Sequence, residues 1–234
     1  MKLPFLVSVP HAGLQVPLEV KDICILTPED IYADSDCGAA EIYFGLENSV
    51  EAFCTSDIAR AIVDLNRAAD DFRKDGIIKT HTCYDIPVYR EFPTRELIER
   101  LLSNYYYPYH QKLENLIDKE RIKIGIDCHT MAVVGPPVGP DAGKSRPLVC
   151  LSNAEGTCPD AWVQSLADCF QKIFPQQQIA INDPFKGGYI IRNYSAGIPW
   201  LQIELSRTDR ISNIDKRAGI IKALFAWSKV VFDL

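Results

Sequence analysis

The chain holds four histidines, and two of them follow apolar runs directly. In Ser8-Val9-Pro10-His11-Ala12-Gly13, His11 enters a turn bounded by Pro and Gly. In Asp127-Cys128-His129-Thr130-Met131, His129 closes an apolar run and stands two residues after an aspartate. A lone strand-end histidine is more often a hydrogen-bonded core group than a ligand. Two in such settings fit imidazoles presented to a metal, with Asp127 accepting the second ring N–H of His129 and fixing its orientation. A third ligand is required. Asp34 and Asp36 both stand just ahead of an expected helix, where either could instead be an N-cap; Asp36 is the expected ligand and Asp34 the alternative. Two imidazoles, one carboxylate and an open position form the usual catalytic zinc arrangement, here one ion per chain, with another divalent metal as the alternative. Glu204, flanked by Ile203 and Leu205, is the expected general base, because desolvation raises a carboxylate pKa towards the range useful for proton transfer. Its competing reading is a buried ion pair with Arg207 or Arg60.

Asp64-Leu65-Asn66-Arg67 supplies what a zinc hydrolase of small acidic substrates needs besides the metal. Arg67 can grip a carboxylate through two parallel hydrogen bonds and Asn66 can donate a third; the alternative pairs Arg67 with Asp64. Asn182 to Arg192 contains Gly187-Gly188, which permits close backbone approach, followed by Tyr189 and Arg192. Gly188, Tyr189 and Arg192 are candidates for a substrate loop, with a plain turn into a strand as the alternative. His110, among tyrosines on an expected helix, and His81 are expected outside the ligand set.

These residues need elements to hold them. Apolar runs without strict alternation, as in strands covered on both faces, mark Phe5–Val9, Ala61–Leu65, Ile122–Asp127, Leu148–Leu151 and Trp200–Leu205. Helical spacing marks Ala39–Leu46, Asp160–Ile173, Lys216–Phe232 and a stretch from Arg95 to Lys119 that Pro108 kinks or divides. The order argues for an α/β fold: a single three-layer α/β/α domain over residues 1–234 with a mixed, mainly parallel sheet. In such sheets ligands sit beyond the carboxyl ends of the strands, where His11, Asp64 to Arg67, His129 and Glu204 all fall. Val134 to Arg146, rich in Pro and Gly, is expected to shape the site.

Composition narrows the partners. Net charge is −6 with scattered basic residues, so nucleic acid and anionic membrane lack the basic footprint they require. No apolar run is long enough to span a bilayer, and Met1 to Val7 reads as a first strand rather than an export signal. The eight cysteines contain no CxxC pair, which fits reduced thiols and a cytoplasmic location. A small molecule is the expected partner.

The combination and order of "SVPHAG", "DSDCGAAEIY", "ARAIVDLNR", "PVYREFP", "YYPYHQKL", "DCHTM", "NDPFKGGYIIR" and "LQIELSR" resembles the N-formylglutamate amidohydrolase family, from His11 to Arg207. The resemblance implies a fold like that of zinc carboxypeptidases and aspartoacylases. It also implies a metal held by His11, His129 and an acid near Asp36, an Asn66–Arg67 pair for the substrate carboxylate, and Glu204 as the catalytic glutamate. Leu14 stands where carboxypeptidases carry a carboxylate three residues after the first His, so the acid must come from elsewhere. The implied activity is metal-dependent hydrolysis of a small acidic N-acyl amino acid. The alternatives are another N-acyl amino acid or small peptide on the same metal, or a relative that only binds such ligands. On this reading Arg60 or Arg192 stabilises the developing oxyanion, and Asp64, like Asp127, supports the ligands from behind.

Overall fold

The computed structural model describes residues 2–139 and 141–233; Pro140, within the loop expected to shape the site, lies outside them. Six strands form one sheet: β1 (Leu3–Val9), β2 (Val50–Thr55), β3 (Ile124–Met131), β4 (Val149–Ser152), β5 (Ile179–Ile181) and β6 (Trp200–Ser206), in the order β2-β1-β3-β6-β4-β5. The first four in that order run parallel, and β4 turns the direction by pairing antiparallel to β6. The mixed, mainly parallel α/β sheet expected from the sequence is the one observed. Seven helices surround it among the described residues: α1 (Pro28–Asp34), α2 (Ala39–Tyr43), α3 (Arg95–Leu101), α4 (Tyr107–Ile117), α5 (Asp160–Ile173), α6 (Tyr189–Tyr194) and α7 (Asn213–Phe232).

Strand alternation divides the roles of the two sheet faces. Phe5, Val7 and Val9 of β1, Ile124, Ile126 and Cys128 of β3, and Leu201, Ile203 and Leu205 of β6 enter one core with α2, α5 and α7. Each such large side chain contributes about 1.5–3 kcal/mol on burial. The intervening residues face the layer of α3, α4 and α6: Ser8, Gly125, Asp127, His129, Trp200, Gln202 and Glu204. Apolar packing anchors that layer at Leu6, Leu101, Leu113, Ile190, Tyr194 and Trp200. The polar residues collect towards the carboxyl ends of β1, β3 and β6. Gly125 is required here, because a methyl group at that position would overlap the Trp200 ring on the neighbouring strand.

Two readings need correction, and a third holds. Ala61–Leu65 is not a strand: Ile62 and Val63 donate backbone N–H groups to the Ala59 carbonyl in a tight turn, and Asp64 donates to Ile77. The stretch is apolar because Ile62, Val63 and Leu65 are fully buried as a loop. The strand that carries the chain towards this loop is β2, whose alternating burial suits its edge position. The alternative reading of Asn182 to Arg192 as a plain turn into a strand also fails, because Tyr189 opens α6. The Arg95–Lys119 segment does divide near Pro108: five residues, Leu102–Tyr106, adopt a π-helical turn between α3 and α4. Pro108 then falls in the first turn of α4, where its missing N–H is harmless. That division aims side chains at the loop after β2. Tyr106 donates its hydroxyl to the Arg67 carbonyl (2.9 Å) and His110 Nε2 donates to the Leu65 carbonyl (3.0 Å).

Candidate active site

His11 lies two residues beyond β1, and His129 and Glu204 are register partners on β3 and β6. Asp36 arrives from the segment between α1 and α2, fastened by its backbone N–H to the His11 carbonyl (3.2 Å). His11, Asp36 and His129 are buried, and one ligand atom from each lies within 4.8 Å of the others.

Each imidazole is oriented from behind by a buried carboxylate. His11 Nε2 donates to Asp64 Oδ1 (2.8 Å) and His129 Nε2 donates to Asp127 Oδ2 (2.8 Å). Both rings therefore turn Nδ1 towards the same atom, Asp36 Oδ2, at 3.6 Å from His11 and 2.8 Å from His129. His11 Nδ1 is buried and has no hydrogen-bond partner, an arrangement that costs free energy unless a cation fills it. An orphaned imidazole nitrogen, a second Nδ1 and a carboxylate oxygen converging on one point fit a divalent metal. Burial would raise Asp36, yet the two imidazoles beside it hold its carboxyl well below the usual range. Burial opposes a charge on His129, and the Asp127 and Asp36 carboxylates overcome it, raising the ring well above its ordinary value.

The choice between the two aspartates is resolved by direction. Asp34 ends α1 and faces away from the histidines: its Oδ2 accepts from Lys79 Nζ (2.9 Å) and its Oδ1 from the Cys83 backbone (2.7 Å). Glu204 is 7 % exposed, and burial, opposed in part by the His129 charge, raises it to about 7. Its partner is neither Arg207 nor Arg60 but Gln202, whose Nε2 donates to Glu204 Oε1 (2.8 Å).

A cavity of about 290 Å³ opens over these groups, at the small end of the range for small-molecule sites. His11, Asp36, Arg60, Asn66, Arg67, His129, Gly188 and Glu204 line it. Pro136, Val138, Gly139 and Arg146 bring in the Pro/Gly-rich loop, as expected. A larger surface groove of about 720 Å³ near Asn153, Thr157 and Gly197 contains none of these residues.

Several roles differ from expectation. Arg60 is not a free oxyanion donor: its NH1 binds Asp36 Oδ1 (3.2 Å) and its NH2 binds Asp64 Oδ2 (3.4 Å), so it balances the charge of the carboxylates. Asn66 faces inward, with Nδ2 on Asp127 Oδ2 (2.9 Å) and Oδ1 accepting from the Ile190 N–H (2.8 Å). Arg67 pairs with Asp75 rather than Asp64. Tyr189 and Arg192 lie outside the cavity lining; Tyr189 packs against His110, and Arg192 is exposed and reaches the Lys186 carbonyl. His110 and His81 stay outside the triad, as the sequence reading expects.

The sequence reading gave no site role to Gln202 or Lys79, placed Arg146 only as the end of the site-shaping loop, and considered Arg207 only as a partner for Glu204; all four line the cavity. Gln202 was legible as a polar residue two positions from Glu204, hence on the same strand face. Arg146 is held by Asp141 and lies over the Phe185 ring (4.8 Å). Arg207 donates to the Ser35 carbonyl (3.0 Å) and, among the described residues, is the lining cation without a carboxylate partner within ion-pair distance.

A carboxylate-backed pair of histidines, an aspartate and a glutamate of near-neutral pKa at the carboxyl edge of an α/β sheet define a hydrolase class. Comparison with known proteins agrees. The family model described as N-formylglutamate amidohydrolase matches residues 3–209. An N-formylglutamate deformylase of Pseudomonas putida is 25% identical over 231 residues, covering 88% of this chain and 81% of the relative. That of Pseudomonas aeruginosa is 25% identical over 214 residues, covering 82% and 75%. The crystal structure of an N-formylglutamate amidohydrolase from Ralstonia eutropha superposes with a TM-score of 0.80 at 19% identity, covering 100% of this chain and 96% of that one. The chain belongs to the N-formylglutamate amidohydrolase family, and so to the enzymes that hydrolyse amides.

Proposed function

We propose that this protein removes the acyl group from a small acidic N-acyl amino acid of the N-formylglutamate kind, using one zinc ion held by His11 Nδ1, His129 Nδ1 and Asp36 Oδ2. The single observation that carries the reading is the convergence of both Nδ1 atoms on Asp36 Oδ2 beside a glutamate raised to about 7. The bound ion supplies Lewis acidity, which lowers the pKa of water and polarises a carbonyl.

The chain's own residues do the rest. Glu204 takes a proton from the attacking water and passes it to the amide nitrogen as the carbon–nitrogen bond breaks, yielding a carboxylic acid and a free amine. A near-neutral pKa suits both transfers. Asp64 and Asp127 keep Nε2–H on each imidazole and Nδ1 free. Arg67 and Arg207 line the cavity and orient substrate carboxylates, Arg207 because its charge has no carboxylate partner. The names of the deformylase relatives support the substrate class.

The test is hydrolysis of a panel of N-acyl amino acids, acidic and neutral, with metal analysis and chelator controls. Cleavage of acidic members, lost on chelation and restored by zinc, is the expected result. Turnover indifferent to chelation, or a preference for neutral substrates, would overturn it.

A further inference from the structure

The backbone N–H of Gly188 donates to Gln202 Oε1 (2.7 Å), while Gln202 Nε2 donates to Glu204 Oε1 (2.8 Å). An N–H can only donate, so Gly188 fixes which end of the buried Gln202 amide is oxygen. The amide nitrogen must then face Glu204, and Glu204 Oε1 must accept. Gln202 and Glu204 sit two apart on β6 and share a face, so the bridge spans one side of the cavity from the Gly187–Gly188 turn to the carboxylate. Gly188 cannot be replaced easily: a methyl group there would overlap the Asn66 amide. That amide in turn links the Ile190 N–H to Asp127.

We infer that Gln202 is a positioning residue which, tethered by the Gly188 turn, occupies Glu204 Oε1 and leaves Oε2 as the oxygen that handles the proton. The inference rests on Glu204 being the base of the proposed reaction. Without the bridge, a carboxylate beside Asp36 and Asp127 loses a charge-assisted hydrogen bond and the constraint on its rotation.

Gln202→Met removes the amide at similar length. The expected result is a kcat reduced by about 10–100-fold, the usual range for a supporting partner, with KM and metal content held. In a Glu204→Gln background the same substitution should bring no further loss, because both act through one group. An unchanged kcat, a loss confined to KM, or full additivity with Glu204→Gln would each overturn the inference. Gln202→Asn, which keeps the amide but falls a methylene short of spanning both partners, gives the same reading if the Met variant does not fold. A separate arm needs no turnover: deuterium exchange at the Gly188 amide should quicken at least about fivefold in Gln202→Met. Unaltered exchange would show that the bridge is not made. If the wild-type chain cleaves no amide in the panel, the functional reading fails while this exchange arm still decides the bridge.

Discussion

The two carboxylates behind the histidines invite the same substitution and should answer it differently. Asp127 Oδ2 accepts from His129 Nε2 and Asn66 Nδ2, while Oδ1 accepts from Ser8 Oγ (2.7 Å), which also touches the Tyr109 hydroxyl (2.9 Å). In Asp127→Asn the new amide can turn its NH₂ to Ser8, whose hydroxyl can accept and pass its own proton to Tyr109. The carbonyl oxygen then still receives His129 Nε2–H, and Nδ1 stays free. Asp64 has no such outlet. Its Oδ1 accepts from His11 Nε2 (2.8 Å) and the Asn66 backbone (3.0 Å), and its Oδ2 accepts from Arg60 (3.4 Å) with Lys79 at 3.8 Å. An amide nitrogen at either position meets donors only. Facing Arg60, it leaves buried donors opposed, at about 1–3 kcal/mol. Facing His11, it forces Nε2 to accept and moves the ring proton to Nδ1, the atom that must be bare. Asp64→Asn should therefore weaken zinc binding by about 10–100-fold, and Asp127→Asn by about tenfold or less. Competition against a chromophoric chelator measures both, with thermal melting as a control for folding. Equal affinities, or the reverse order, would refute the tautomer argument.

Glu204→Gln should keep stoichiometric zinc but reduce kcat by about two or more orders of magnitude, read by metal analysis alongside the hydrolysis assay; a variant as active as wild type would remove Glu204 as the base. Arg207→Ala and Arg67→Ala should each raise KM for a dicarboxylate more than they lower kcat, and steady-state kinetics against a monocarboxylate analogue isolates the lost contact. His110 gives a pH signature distinct from the metal site: burial, only partly offset by its hydrogen bond to the Leu65 carbonyl, lowers it to about 4. Its ordinary value near 6.5 applies in the unfolded chain, so stability is fully present above pH ~6.5 and declines towards pH ~4, by about 3 kcal/mol over the whole window. Denaturation of metal-stripped His110→Gln should lack that part of the slope, and parallel curves for wild type and variant would rule it out.

How much of this could be read from the chain depends on whether local pattern or distant packing decided each element. Asp160–Ile173 was legible to the residue because its apolar face repeats at helical spacing. Ala61–Leu65 misled for an equally physical reason: a fully buried loop and a fully buried strand carry the same apolar run, and only the turn bonds to Ala59 separate them. The helix α1 was overlooked although its signal is local. Thr27 and Asp30 form a reciprocal capping box around Pro28, the sequence signature of a helix start.

The site was legible where parallel strands decide it. His129 and Glu204 meet because β3 and β6 are parallel neighbours in matching register, and His11 joins them from beyond the end of β1, the next strand. What the pattern could not supply was the direction of side chains leaving loops. Asp34 and Asp36 are two apart in one short segment, and only the end of α1 after Asp34 sends one to Lys79 and the other to the histidines. The same blindness hid the neutralisation of the arginines. Arg60 looked free because its partners, Asp36 and Asp64, are themselves committed to the imidazoles. That commitment has a chemical consequence. The carboxylate of the triad and the two behind it, with Asp34 beside them, carry four negative charges, two more than a divalent ion cancels. Arg60 and Lys79, placed against Asp36, Asp64 and Asp34, offset the excess, so a substrate anion can enter a site otherwise walled with acids.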